Sequence, residues 1–154
     1  MSRWIGKRVA KKFAPMIKFM FATIGALSKA FYEKYGDEAL PTIAEVMGES
    51  GVEHAKIAQS MLKGNDMKAV GELFGMMEMF DFEVEVIELS DDTIRFKMAT
   101  CPMGLEGTSK ELCEAMMTSD KKMIETIIGK EVDANILKSV AAGDEYCEAV
   151  MTIK

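Results

Sequence analysis

The stretch FEVEVIELSDDTIRFKMAT, residues 82–100, decides the fold class. Upstream of it apolar residues recur at helical spacing; within it they recur every second residue. Phe82, Val84 and Val86 alternate with Glu83 and Glu85, and Ile94, Phe96 and Met98 alternate with Arg95 and Lys97. Ser90-Asp91-Asp92 supplies a turn between the two runs. Pairing Leu89 with Thr93 sets Val86 against Phe96, Val84 against Met98 and Glu85 against Lys97. Apolar then meets apolar and acid meets base, so the stretch predicts an antiparallel hairpin.

Working outward, IKFMFATIGALSKAFYEKY (17–35) predicts a helix that stops at Gly36, a residue suited to a left-handed C-terminal position. Asp37 is placed to cap a second helix through about Met61, with Pro41 tolerated in its first turn. A third helix is expected over MKAVGELFGMMEMF (67–80). Beyond the hairpin the sequence predicts two short helices, 108–118 and 120–129, the first opening on the capping-box pattern Thr108 to Glu111. NILKSVAA (135–142) and EYCEAVMTI (145–153), separated by Gly143-Asp144, read as a second hairpin. The expected class is α+β: N-terminal helices on a four-stranded antiparallel sheet of two hairpins, with two short helices between the hairpins.

A chain of 154 residues, 49% hydrophobic and 29% charged, is enough for one domain with a substantial core. Residues 1–18 carry Arg3, Lys7, Arg8, Lys11, Lys12 and Lys18 and no acid. The net charge of −6 therefore leaves an excess of twelve negative charges on residues 19–154. We read residues 1–18 as a basic arm and 19–154 as a single domain. An acidic body argues against a nucleic-acid partner, which needs a basic face for phosphates. The arm could touch a membrane surface peripherally, although a solvated helix face is the simpler reading. A cleavable signal stays open, and Pro15 is expected to kink or break the helix. Homodimerisation is compatible with a domain this small.

Three cysteines, an odd number in a chain this long, do not make a disulfide framework, which points to a reducing, cytoplasmic setting. Cys147 shares a strand face with Ala149, Met151 and Ile153, so it reads as core. Cys101 falls by parity with Arg95, Lys97 and Ala99, away from the core; a bulge near Ala99 would turn it inward. Pro102 forces extended backbone at Cys101 and ends the ladder there. Cys113 lies at the edge of a helical apolar stripe. Three thiolates could bind zinc or iron, with a fourth ligand from Asp120, His54 or a bound molecule. The spacing lacks the C-x₂₋₄-C pair that preorganises most such sites. Asp120 also reads as a helix N-cap. His54, the one histidine, falls on the stripe Ile43, Met47, Ser50, His54, Ile57 and Met61. Fifteen methionines suit a pocket that adapts to an apolar ligand.

Several of these pieces occur in a telling order. IGALSKAFYEKYGDEALPTIAEVMGESGVEHAK opens the series, TCP (100–102) closes the hairpin, ELCEAMMTSD (111–120) follows, and AGDEYCEAVMTIK (142–154) ends the chain. Together they resemble the L-2-amino-thiazoline-4-carboxylic acid hydrolase-like family over residues 24–154. The family is similar in turn to 4-vinyl-reductase-like hydrocarbon-binding domains. Met117 stands where the family often has a further cysteine. The resemblance implies a hydrolase that opens a cyclic amidine ring, with Cys101, Cys113, Asp120 and Cys147 as catalytic positions. It implies Cys101 as the attacking thiol, or Cys101, Cys113 and Cys147 as ligands of zinc or iron. Asp120 would be the acid–base partner, and Arg95 or Lys97 would hold the substrate carboxylate. The alternative is a non-catalytic domain that binds a small molecule, tetrapyrrole or metal. Whether the chain is an enzyme is left open at this point.

Overall fold

The computed structural model describes residues 3–154. Met1 and Ser2 of the basic segment, and the side chains of residues 3–8, lie outside the described residues. Helix α1 spans Arg3–Tyr35 and runs through Pro15 without a break. It ends at Gly36, whose φ of +63° is the left-handed conformation expected there. A 3₁₀ turn, Gly36–Ala39, then leads into α2, Leu40–Gln59. The cap position of α2 is Ala39 rather than Asp37, because the intervening turn displaces the start. Helix α3 spans Met67–Met77, and its cap Asp66 accepts a hydrogen bond from the Ala69 amide at 3.0 Å.

The sheet comprises β1 (Val84–Leu89), β2 (Thr93–Met98), β3 (Val132–Lys138) and β4 (Cys147–Ile153). Its order is β1-β2-β4-β3, antiparallel throughout, so two hairpins join through their second strands. The pairs Val84–Met98, Glu85–Lys97 and Val86–Phe96 form as the alternation predicts. A bulge at Ile87 then shifts the register, so Leu89 pairs with Ile94 rather than Thr93. Strand β3 begins at Val132, earlier than expected. It stops where the Ser139 hydroxyl accepts from the Ala141 amide and turns residues 140–142 into a buried 3₁₀ turn.

The two short helices expected between the hairpins are one helix, α4, spanning Lys110–Ile128. Ser109 caps it, accepting from the Leu112 amide at 3.1 Å. The polar run Thr118-Ser119-Asp120 does not end it, because these small residues are what α2 needs on its neighbour. A Cβ on Gly48 would stand 3.3 Å from the Thr118 methyl, and one on Gly51 only 2.2 Å from the Ser119 carbonyl oxygen. Asp120 is therefore a mid-helix residue and not a cap. The helix ends at Gly129, φ +68°.

Helices α3 and α4 cover one face of the sheet. Val70 and Phe74 from α3, Ile94 and Phe96 from β2, Ile124 and Ile127 from α4, and Ala149 and Met151 from β4 form the main core. Each large side chain buried there stabilises the fold by about 1.5–3 kcal/mol. A second cluster joins Ile43 and Met47 of α2 to Leu105, Leu112, Met116 and Ala141, with Cys101, Met103 and Cys113 packed against it. No described helix is long and apolar enough to cross a membrane.

Candidate functional site

Between the two apolar clusters lies a cavity of about 110 Å³. Its walls are built from β2, β3, β4, α3, α4, the loop after β2 and one residue of α1, Phe21. Cys101, Cys113, Cys147 and Asp120 all line it, so four positions far apart in sequence converge on one space. The remainder is mostly apolar: Phe74, Met77, Phe96, Met98, Met103, Leu105, Met116 and Met117. A larger open groove of about 720 Å³ lies elsewhere, lined by Lys18, Glu78, Asp81, Glu85 and Lys97 among others, and holds no cysteine.

Cys101 reaches the cavity because the β2 ladder ends at Met98, and the strand parity that pointed it outward no longer applies. Its amide donates to Glu106 Oε1 at 3.2 Å, and the Gly104 amide donates to its carbonyl at 3.1 Å, which folds residues 101–104 into a turn. Helix α1 buttresses this loop: a Cβ on Gly25 would stand 1.7 Å from the Met103 carbonyl oxygen. Cys147 opens β4 opposite Met98. Cys113 sits in the first turn of α4. All three thiols are free and half-buried.

Burial pushes the Cys113 thiol up to about 11, against a partial pull downward from the Ser139 hydroxyl. Burial also raises Cys147, and the Val140 backbone partly offsets it. Each of these two thiols is further disfavoured as an anion by its cysteine neighbours. Both are neutral at physiological pH, and a neutral thiol is a poor nucleophile. Burial raises the Asp120 carboxyl to about 6. Among the described residues no hydrogen bond or ion pair reaches that carboxyl.

Several expectations need correction. Arg95 does not face the cavity; its Nε donates to Glu148 Oε1 at 2.6 Å, and Glu148 is buried. Lys97 lies over the Tyr146 ring, 3.9 Å from its centroid, and lines the open groove instead. The cation on the cavity is Lys138, at the end of β3, whose Nζ also lies 4.3 Å from the Tyr146 centroid. Only a bulge at Leu137 brings Lys138 opposite Glu148, and nothing in the sequence announces that bulge. His54 is exposed: α2 buries Ile43 and Met47 at the start of the stripe that carries the histidine, but further along the buried face passes to Gly48, Gly51, Ala55 and Ala58. Among the described residues no three His, Cys, Asp or Glu side chains are arranged to hold a metal ion.

Two solved structures share the fold. The phenol-responsive sensory domain of the transcription activator PoxR, solved with phenol, is 17% identical with a TM-score of 0.65, covering 86% of this chain and 74% of that one. Trafficking protein particle complex subunit 3 from Naegleria fowleri, covalently bound to palmitic acid, is 13% identical with a TM-score of 0.67, covering 89% and 94%. No curated protein matches the chain. The family model described as L-2-amino-thiazoline-4-carboxylic acid hydrolase matches residues 14–150, a span that holds all four converging residues and nearly every element around them. The chain belongs to the L-2-amino-thiazoline-4-carboxylic acid hydrolase family.

Proposed function

We propose that the cavity binds one small cyclic amidine bearing a carboxylate and opens its ring by hydrolysis. The observation that carries this reading is Asp120: a carboxyl without a partner, raised to about 6, in the wall of a largely apolar cavity. A group poised there is an effective proton acceptor near neutrality. It also suits an amidinium, which would neutralise it on binding. The volume of about 110 Å³ is of the order of the apolar cavity of about 150 Å³ that takes up benzene. One substituted five-membered ring is the right scale for it.

In the reaction, Asp120 takes a proton from a water as its oxygen adds to the C=N carbon of the bound amidinium, and the C=N electron pair neutralises the ring nitrogen, which keeps its own proton. The ring carbon–sulfur bond then breaks as the new hydroxyl becomes the carbonyl and gives its proton to solvent, and the sulfur leaves with the Asp120 proton as a free thiol. One water is consumed, and the product is the carbamoyl-cysteine. Lys138 is placed to pair with the substrate carboxylate, and Cys113 and Cys147 form a polarizable wall for the ring. Cys101, on the loop after β2, is the sulfur that could attack in place of water. Turnover unchanged in Cys101→Ser assigns the attack to water; turnover lost, with a covalent adduct on Cys101 in the wild type, assigns it to the thiol.

A second reading is supported by the phenylalanine and methionine lining and by the fold shared with the phenol-bound sensory domain: a small-molecule-binding domain without catalysis. Heating the protein with 2-amino-thiazoline-4-carboxylate and with phenol separates the two. A raised Tm with phenol, together with no thiol released from the amidine, favours the binding domain.

A further inference from the structure

The cavity shares a wall with a second void. Between α4 and β3 lies a pocket of about 110 Å³ lined by Glu114, Met117, Thr118, Lys121, Ala134 and Ile136. The residues that α4 gives the inner cavity are Cys113, Met116, Met117 and Asp120. Each set has the i, i+3, i+4, i+7 spacing of one helix face, and the outer set is the inner one advanced by a residue. The two faces therefore meet along α4, and Met117 belongs to both. On β3, Ile136 likewise lines both voids. Met117 and Ile136 together form the partition between them.

The two halves of that partition differ in stiffness. Ile136 is branched at Cβ, which restricts its χ1. Met117 is unbranched, with three side-chain torsions, and it is half-buried rather than locked in the core. Its neighbour Thr118 is held against α2: a Cβ on Gly48 would meet its methyl at 3.3 Å, and its hydroxyl donates to the Glu114 carbonyl at 3.5 Å. We infer that Met117 sets the length of ligand the site accepts, and that this ligand is a ring carrying a short apolar tail. The inference rests on the reading that a ring occupies the inner cavity. With Met117 between the voids, the inner one holds the ring alone. When the thioether swings aside the voids join, and a tail of a few atoms passes between α4 and β3 toward the exposed Glu114. Met117, Ile136 and Ala134 make that passage apolar, so a polar tail would be stripped of water there without a partner.

Cys113 reports on the partition, because it lies one helical turn from Met117 on the same face of α4. Labelling at pH 9 with iodoacetamide and with N-butyl-iodoacetamide, read at Cys113 by peptide mass spectrometry, tests the size limit. Met117→Ala should speed the butyl reagent by at least about tenfold and leave the small one nearly unchanged. Met117→Ile, of similar volume but stiff at χ1, should slow the butyl reagent alone. If Met117→Ala loses its fold by far-UV circular dichroism, Met117→Ile carries the test. Met103→Ala enlarges the same cavity away from the partition and should speed both reagents alike. A Met117→Ala variant that speeds both reagents equally overturns the inference. So does a Met117→Ile variant that labels like wild type, or a butyl preference as large in Met103→Ala. Turnover enters none of these readings. A protein that shows the size effect but leaves the cyclic amidine intact strikes the hydrolytic reading alone; one that hydrolyses it without the size effect strikes this inference alone.

Discussion

Gly51 of α2 lies backbone to backbone against Ser119 of α4, and the residue after Ser119 is Asp120. The Cβ that alanine would add at Gly51 would stand 2.2 Å from the Ser119 carbonyl oxygen, and backbone cannot yield as a side chain tip can. Gly51→Ala should therefore push α4 away and cost about 1–3 kcal/mol in urea unfolding. It should also loosen the cavity, read as faster alkylation of Cys113. Unchanged stability would mean that the helices do not approach so closely.

Asp120 links the site to stability through pH. Below 3.8 its carboxyl is protonated in folded and unfolded chains alike; between 3.8 and about 6 only the folded chain keeps the proton. The folded state thus binds more protons across that window, and its stability falls as pH rises through it. Above about 6 the buried charge costs at most about 3 kcal/mol. Asp120→Asn should be more stable than wild type at pH 7.5 and no more stable at pH 3.5, measured by urea unfolding. An advantage independent of pH would deny that the carboxyl is raised.

The buried Glu148 depends on Arg95. Removing the guanidinium leaves a carboxylate in the sheet without its partner, and Arg95→Met should cost about 2–4 kcal/mol, the lower side of the range for buried pairs because Arg95 is partly exposed. Adding Glu148→Gln should restore most of that loss. A double-mutant cycle with no coupling would show that the pair is not what holds Glu148.

Much of the fold was legible because its largest side chains obey simple periods. Val84, Val86, Phe96 and Met98 alternate, and the sheet buries or half-buries all four. Where small residues decide, size-based patterning misleads. Helix α2 turns Gly48, Gly51 and Ala55 inward, so the second half of the stripe that carried His54, with Ile57 and Met61, lies toward solvent while Ile43 and Met47 stay buried. Thr118-Ser119-Asp120 read as a break because polar residues usually mark one; here they are the low surface that a glycine face requires. The sulfurs that line the cavity were individually ambiguous. Their convergence depends on the chain leaving the ladder after Met98, and the placement of Lys138 depends on a bulge at Leu137. Neither event has a local signature.

Cys113 should be slow to react. With its thiol raised to about 11 by burial, iodoacetamide at pH 7.5 should label it far more slowly than an exposed cysteine. Its rate should still be climbing at pH 9.5. Ser139→Ala removes the hydroxyl that partly stabilises the thiolate and should slow the reaction further. Peptide mass spectrometry reads each site, and rapid labelling at neutral pH would contradict the burial.

The most direct measurement is turnover of L-2-amino-thiazoline-4-carboxylate, followed by NMR as carbamoyl-cysteine forms. With Asp120 as the base, kcat/KM should rise with pH through about 6. Asp120→Asn should lose at least about a hundredfold, while the compound still protects Cys113 from alkylation. An Asp120→Asn variant that turns over like wild type, or a wild type that neither reacts with nor is protected by the compound, would contradict the assignment of this cavity as a hydrolytic site.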